Sequence, residues 1–241
     1  MHAGKHPTFY YPIETPLSND RVKLIPFDVD LHSAAFVDQS KDYPQLFAHM
    51  PSGPFQTVGA WKSRFEDPSS FFSPTNPSSF VFAIIDTTRS PSPEDEDGEL
   101  AGVVLYMNTS KPHRSTEIGF IVVLPNYQRT HVATNTVGLL MQCAFGSPDE
   151  GGLGLVRVEW KTSTANIPSA RLAEKIGYSK VGVIPYHYCF ALGKRTEKVS
   201  NGKPLPPGSD PDDLWRDTVV YSMSWDQWET AKGKVEEMMA R

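Results

Sequence analysis

Apolar and polar positions sort most sharply between Ile118 and Ala144. A β-branched run through Val122 and Val123 ends at Leu124-Pro125. A polar turn follows from Asn126 to Thr130, and Val132, Val137, Leu140 and Met141 then recur on one side of a helix. The pattern predicts a strand over residues 115–124 and a helix over 130–145. Upstream, residues 21–26 read as a short strand ended by Pro26. Residues 28–40 read as a helix with Leu31, Ala34, Ala35 and Val37 on its apolar face, and 42–49 as a second short helix. Residues 57–66 form a third, with Thr57 as N-cap. The runs FVFAIID (Phe80–Asp86) and LAGVVLYM (100–107) are strands. The connection between them, which holds the acidic run from Glu94 to Asp97, is too polar to pack and reads as a flexible hairpin loop.

Downstream, residues 155–161 alternate as a strand, 165–176 form a helix stopped by Gly177, and 178–184 form another strand. A closing strand is expected over 218–225 and a terminal helix over 226–239. Ser/Pro-rich residues 68–77, Gly-rich 147–154 and basic-then-proline 193–213 are loops. This order implies a mixed α/β sheet with one crossover in its middle. Residues 1–20, with three prolines, read as an extended arm, and 21–241 as a single domain.

Strand, tight turn and helix in that order place unpaired amides of a helix start beyond the strand end, where an anion is favoured. Arg129 and the Thr130 hydroxyl add to this seat, which suits a phosphorylated cofactor. The formal net charge of −5 argues against general affinity for nucleic acid or an anionic membrane. No apolar run reaches the roughly 18 residues that a spanning helix needs. The opening residues lack the apolar core of a secretion signal. Cys143 and Cys189 lack metal-type spacing and read as free thiols in a reducing compartment, so a cytoplasmic protein without a metal site is expected.

Two segments carry a family resemblance. From Glu117-Ile118-Gly119-Phe120 through Pro125 to Gln128-Arg129-Thr130-His131-Val132-Ala133-Thr134, the chain resembles the strand and Q-x-x-G-x-G/A pyrophosphate loop of the GCN5-related N-acetyltransferases. From Asn166-Ile167-Pro168-Ser169 to Gly177-Tyr178, it resembles the N-x-x-S-x-x-L-x-E-K-x-G-F/Y signature of the branch that includes the ribosomal-protein alanine acetyltransferases. Residues 21–27 and Ser52-Gly53-Pro54-Phe55 are weaker echoes. The resemblance implies a strongly bent mixed sheet whose central parallel strands splay around acetyl-coenzyme A. It implies that Val122, Val123 and Leu124 lie beside the pantetheine arm and that amides from Arg129 to Thr134 hold the pyrophosphate. Gln128 belongs to the same motif, and Asn166 and Ser169 approach from the next helix; Arg171 on that helix either reaches towards the phosphates or is an ordinary exposed helix arginine. His131 stands where the family usually has glycine, which tolerates positive φ.

Acetyl transfer needs a neutral amine, an acceptor for its proton, and a donor for the departing sulfur. Glu117 is the leading base, or else a carboxylate that orients a loop; Glu159 and His113 rank behind it. Many family members place a tyrosine acid seven residues after the asparagine, where this chain has Ala173. By resemblance Ser169 replaces it; the alternative is a helix serine bonded to a backbone carbonyl. Tyr178, Tyr186 and Tyr188 are further candidates, with Tyr186, Tyr188 and Trp215 placed at the amine site. Trp215-Arg216-Asp217 closes the acceptor pocket or caps the sheet edge. The sequence therefore reads as an N-acetyltransferase acting on a small-molecule amine, as a monomer or homodimer. Two alternatives stay open: a protein N-terminal acetyltransferase, and a non-catalytic acyl-coenzyme A-binding or interaction module.

Overall fold

The structure, a computed structural model, describes residues 8–190, 193 and 195–241. Strands β1 (Leu17–Ser18) and β2 (Val22–Pro26) precede helix α1 (Val29–Ser40), a 3-10 turn (Pro44–Phe47) and α2 (Val58–Glu66). Strands β3 (Phe80–Asp86), β4 (Glu99–Ser110) and β5 (Ser115–Val123) follow. After α3 (Val132–Phe145) come β6 (Arg157–Ser163), α4 (Ile167–Ile176), β7 (Ser179–Phe190), β8 (Leu214–Ser224) and α5 (Trp225–Met239). One sheet holds the strands in the order β1-β2-β3-β4-β5-β6-β8-β7.

Among the described residues only β5 and β6 run parallel, and they pair only over Ser115–Glu117 against Arg157–Glu159. Beyond Glu117 each keeps its outer partner, β5 with β4 and β6 with β8, and loses the inner one. The sheet therefore parts in its middle, as the resemblance implied. The cause is local: β5 bends at Phe120, whose φ is +48°, and the β4–β5 register shifts nearby.

The two faces of the sheet are packed differently. On one, α3 lies against β2 and β5 and crosses α5 so closely that a Cβ on Gly138 would overlap Met239 Sδ. On the other, Trp61 of α2 is fully buried among Phe36, Phe55, Phe65 and Phe72, at ring-centroid distances of 4.6, 4.9, 5.1 and 5.1 Å. Phe120 stacks on this cluster and joins it to the bend in β5. The arm also packs: Phe9 stacks on Tyr106 and meets Phe80 edge-on.

Three expectations are corrected. The buried face of α1 is His32, Ser33, Phe36, Val37 and Ser40, while Leu31 and Ala34 are exposed. The Asp28 cap and the bulk of Phe36 set the rotation, and small polar Ser33 and Ser40 permit close approach. Residues 42–49 yield only the 3-10 turn. The acidic connection is not loose: Asp95 and Asp97 each lie 2.6 Å from Lys23 Nζ on β2, and Ser92 bridges to Asp95. A lysine from another strand thus supplies the partner that the run lacks locally.

Candidate active site

The last rung before the strands part pairs Glu117 with Glu159. The Glu117 side chain is 6% exposed. Its Oε2 accepts from Asn108 Nδ2 at 2.8 Å and Lys161 Nζ at 2.9 Å. Lys161 also bridges Glu159, which Arg157 holds in turn. Burial weighs against the Lys161 ammonium, but the carboxylates of Glu117 and Glu159 outweigh it and raise its pKa. Among the described residues nothing donates to Glu117 Oε1. That oxygen lies beside Gly119, 3.4 Å from where a Cβ would stand, so the absent side chain leaves it open to the gap.

The opposite lip is the start of α4. Asn166 caps the helix, its Oδ1 accepting from Ser169 N at 3.3 Å. Ser169 Oγ accepts from Trp160 Nε1 at 3.0 Å. The bond back to a helix carbonyl is not formed, so the hydroxyl hydrogen stays unspent. Trp160 has no motif to mark it; its only signal is a bulky indole on an alternating strand next to the crossover. Ala173 is fully buried, and Arg171 is exposed with no side-chain partner among the described residues. Tyr178 lies edge-on to Trp160 with its hydroxyl buried and unpartnered. Burial first, then the charge of Glu117, pushes its pKa well up.

At the far end of β5, Val122 and Leu124 are buried and Val123 O accepts from Gln128 Nε2 at 3.1 Å. Thr130 Oγ1 donates to Tyr127 O and accepts from Val132 N. Among the described residues nothing accepts from the amides of Arg129, Thr130, His131, Ala133 or Thr134. The left-handed residue of the turn is Arg129, at φ +62°, whereas His131 sits at φ −66°. The backbone at position 131 thus does not call for glycine's positive φ. The His131 ring is engaged elsewhere, with Nε2 at 3.2 Å from Asp86 Oδ1.

The gap opens into a cleft of about 730 Å³ that contains Glu117, Asn166 and Ser169. Its other walls are the loop from His49 to Phe55, the Phe71-Phe72 pair, Arg64, Tyr188 and Arg216. The weak echo at Ser52-Gly53-Pro54-Phe55 therefore falls on a cleft wall. Lys198 clamps this loop from behind: its Nζ donates to Phe47 O and Met50 O at 2.8 Å and to Ser52 O at 3.3 Å. Burial pushes the Lys198 pKa down to about 8. His49 Nδ1 is buried without a partner, and burial, Arg216 and Lys198 hold its pKa below the ordinary histidine value. Of the expected acceptor residues only Tyr188 lines the cleft. Tyr186 and Trp215 instead pack on each other at 5.9 Å and tie down the 200–210 loop, through Tyr186 Oη to Pro204 O and Trp215 Nε1 to Ser209 Oγ. His113 sits in the exposed β4–β5 turn, outside the cleft.

Comparison with known proteins agrees with this fold. The family described as acetyltransferase (GNAT) domain matches residues 21–179. No curated protein matches the chain. Among solved structures, a GCN5-related N-acetyltransferase from Brucella melitensis superposes with a TM-score of 0.72 at 23% identity, over 95% of this chain and 86% of that one. A Mycobacterium smegmatis RimJ in complex with CoA-disulfide gives 0.63 at 18%, over 98% of each chain. The Vibrio cholerae spermidine N-acetyltransferase in complex with CoA and spermine gives 0.61 at 12%, over 88% of this chain and 99% of that one. These likenesses are to the fold. Among the described residues no helix is long and apolar enough to cross a membrane.

Proposed function

The chain belongs to the GNAT acetyltransferase family, and from that premise we propose that it moves an acetyl group from acetyl-coenzyme A to the primary amine of a small molecule, with both substrates bound together. The observation that carries this reading is the parting of β5 and β6, with Glu117 at its vertex and unpaired amides at its far end. The residues present suit such a carrier. The amides of Arg129, Thr130, His131, Ala133 and Thr134 have no acceptor among the described residues and can serve a diphosphate, the His131 ring is committed to Asp86, and exposed Arg171 adds charge from α4. The inner edge of β5 through Val122, Val123 and Leu124 offers backbone groups with no strand opposite. When bound, acetyl-coenzyme A supplies the acetyl group as a thioester.

The protein's own part begins at Glu117 Oε1. This oxygen, free while Oε2 is held by Asn108 and Lys161, accepts the amine proton. An alkyl amine with a pKa near ~10.4 needs this more than an α-amino group near ~8. Ser169 Oγ, its acceptor role taken by Trp160, presents its hydrogen to the cleft on the opposite lip. Holding both reactants between the two lips accounts for about 7–11 kcal/mol of barrier lowering without a covalent enzyme intermediate. His131 and Ala173, the two departures that favour a non-catalytic module, are compatible with acetyl transfer in this reading. The backbone at 131 has an ordinary φ, and Ser169 provides the donor that position 173 lacks.

The deciding experiment is thiol release from acetyl-coenzyme A with a panel of amines, with mass detection of product and calorimetry with coenzyme A. Binding of coenzyme A and an acetylated amine are expected. Failure to bind coenzyme A overturns the proposal.

A further inference from the structure

The loop that forms one wall of the cleft is held by two buried cations and no carboxylate. Lys198 donates to the carbonyls of Phe47, Met50 and Ser52, and Arg216 Nη1 donates to the carbonyl of His49 at 2.8 Å. Arg216 is 8% exposed, and its Nε donates to Thr218 Oγ1 at 3.1 Å. Among the described residues no carboxylate comes within ion-pair distance of it, though the charge of Glu117 reaches it, and nothing accepts from its Nη2. The neighbouring Asp217 is engaged elsewhere, with Lys203, Asn201 and the amide of Tyr186. Neutral acceptors only partly offset the cost of burying a guanidinium. A charged group with a spare N–H₂ on a cleft wall is a seat for an anion that the protein does not itself supply.

The remaining charges in the cleft point the same way. Arg64 also lines it, its Nε buried and unpartnered and its nearest carboxylate, Asp67, at 4.0 Å. Glu117 and Lys161 offset one another. The cleft thus carries Arg64, Lys161 and Arg216 against Glu117 alone. A polyamine would meet cations there. Between these charges stand Phe55, Phe72, Phe120 and Met107, an apolar wall for the body that joins an amine to an anion.

Resting on the acetyl-transfer reading above, we infer that the acceptor carries a carboxylate besides its amine, as a free amino acid does, with the amine at Glu117 and the carboxylate at Arg216. The first residue of a protein has its carboxyl tied up in a peptide bond and lacks that carboxylate, so the inference favours a small acceptor.

The test uses matched sets of α-amino acids, their amides and the corresponding decarboxylated amines, aromatic and aliphatic, with spermine as a polyamine. Thiol release gives kcat/KM for each, and calorimetry measures each acid against the protein saturated with coenzyme A. We expect acids to exceed their amides by roughly 10- to 100-fold, the range of a charge-assisted pair. Arg216→Gln should bring the acid-to-amide ratio close to one and Arg216→Lys should restore part of it. The ratio within one variant cancels any loss from the His49 anchor. If Arg216→Gln does not fold, Arg64→Gln on the helix surface should still lower the ratio several-fold. A wild-type ratio at or below one, or an acid preference unchanged in these variants, overturns the inference. If amides or spermine are acetylated in preference, acetyl transfer stands and only this inference falls. If coenzyme A does not bind and no amine reacts, both fall together.

Discussion

Replacing Ser169 by alanine removes one oxygen that has two neighbours. The first is the Trp160 indole, which donates to it at 3.0 Å from a residue 3% exposed. Losing that acceptor leaves a largely buried N–H. Because Ser169 itself is half-exposed, water reaches the vacated place and limits the cost to about 1 kcal/mol. For a chain of this size that lowers Tm by roughly 2–4 °C. The second, under the acetyl-transfer proposal, is the sulfur that departs with coenzyme A. A thioester sulfur accepts hydrogen bonds poorly, but a thiolate accepts them well, so the hydroxyl matters mainly as charge develops. A hydrogen bond to a charged group is worth about 1.5–3 kcal/mol, or roughly 10- to 100-fold in kcat. Thiol release at saturating amine should therefore fall by that factor in Ser169→Ala, while coenzyme A affinity by calorimetry stays within about two-fold. Trp160→Phe, which keeps the hydroxyl, should lose only a few-fold. A Ser169→Ala protein that is folded, binds coenzyme A and turns over at the wild-type rate would refute the assignment.

Glu117→Gln should depress kcat/KM by about 100-fold for an alkyl amine and far less for an aromatic amine, which is already neutral before attack; equal losses for both would make the carboxylate structural. Lys198→Met leaves the carbonyls of Met50 and Ser52 without their donor, while Phe47 O keeps the Met50 amide, and should cost about 2–4 kcal/mol in urea unfolding, with a raised KM for the acceptor; unchanged stability would show that the clamp is idle. His32 is 1% exposed, its Nδ1 accepts from Asp28 N at 2.9 Å, and burial holds its pKa below 6.5. From 6.5 down to that depressed value the unfolded chain binds the extra proton, so stability should fall as pH falls through this window. His49 adds a slope of the same sign. Urea midpoints measured from pH 7.5 downwards should show the decline, and His32→Asn should flatten it; identical slopes would place the titration elsewhere.

What could be read in the chain follows sequence distance. The strand–turn–helix from Ser115 to Phe145 and the capped α4 are local patterns, and a parallel crossover between them is enough to bring Glu117, Asn166 and Ser169 to one gap. Lys198 and Arg216 could not be read as parts of the loop from Phe47 to Ser52, because their contacts span 146 to 167 residues. Trp160 reaches Ser169 over only nine residues, but an alternating strand does not say which inward residue will meet the next helix. Tyr186 and Trp215 looked like lining because aromatic residues at strand ends suit a pocket; the loop beneath them claimed both. The α1 face failed because counting apolar residues ignored how closely serines let a helix approach.

Sheets usually keep their raw edges at the rim, where a foreign strand can dock and start aggregation. Here two such edges are turned indoors, facing each other across the space between β5 and β6. An intruding polypeptide would have to carry its side chains past the bulk of Trp160 and Phe120. A slender, unbranched molecule with its own amides meets no such obstacle. The fold thus places unpaired strand edges inside the molecule, where a slender guest meets less obstruction than a folded partner.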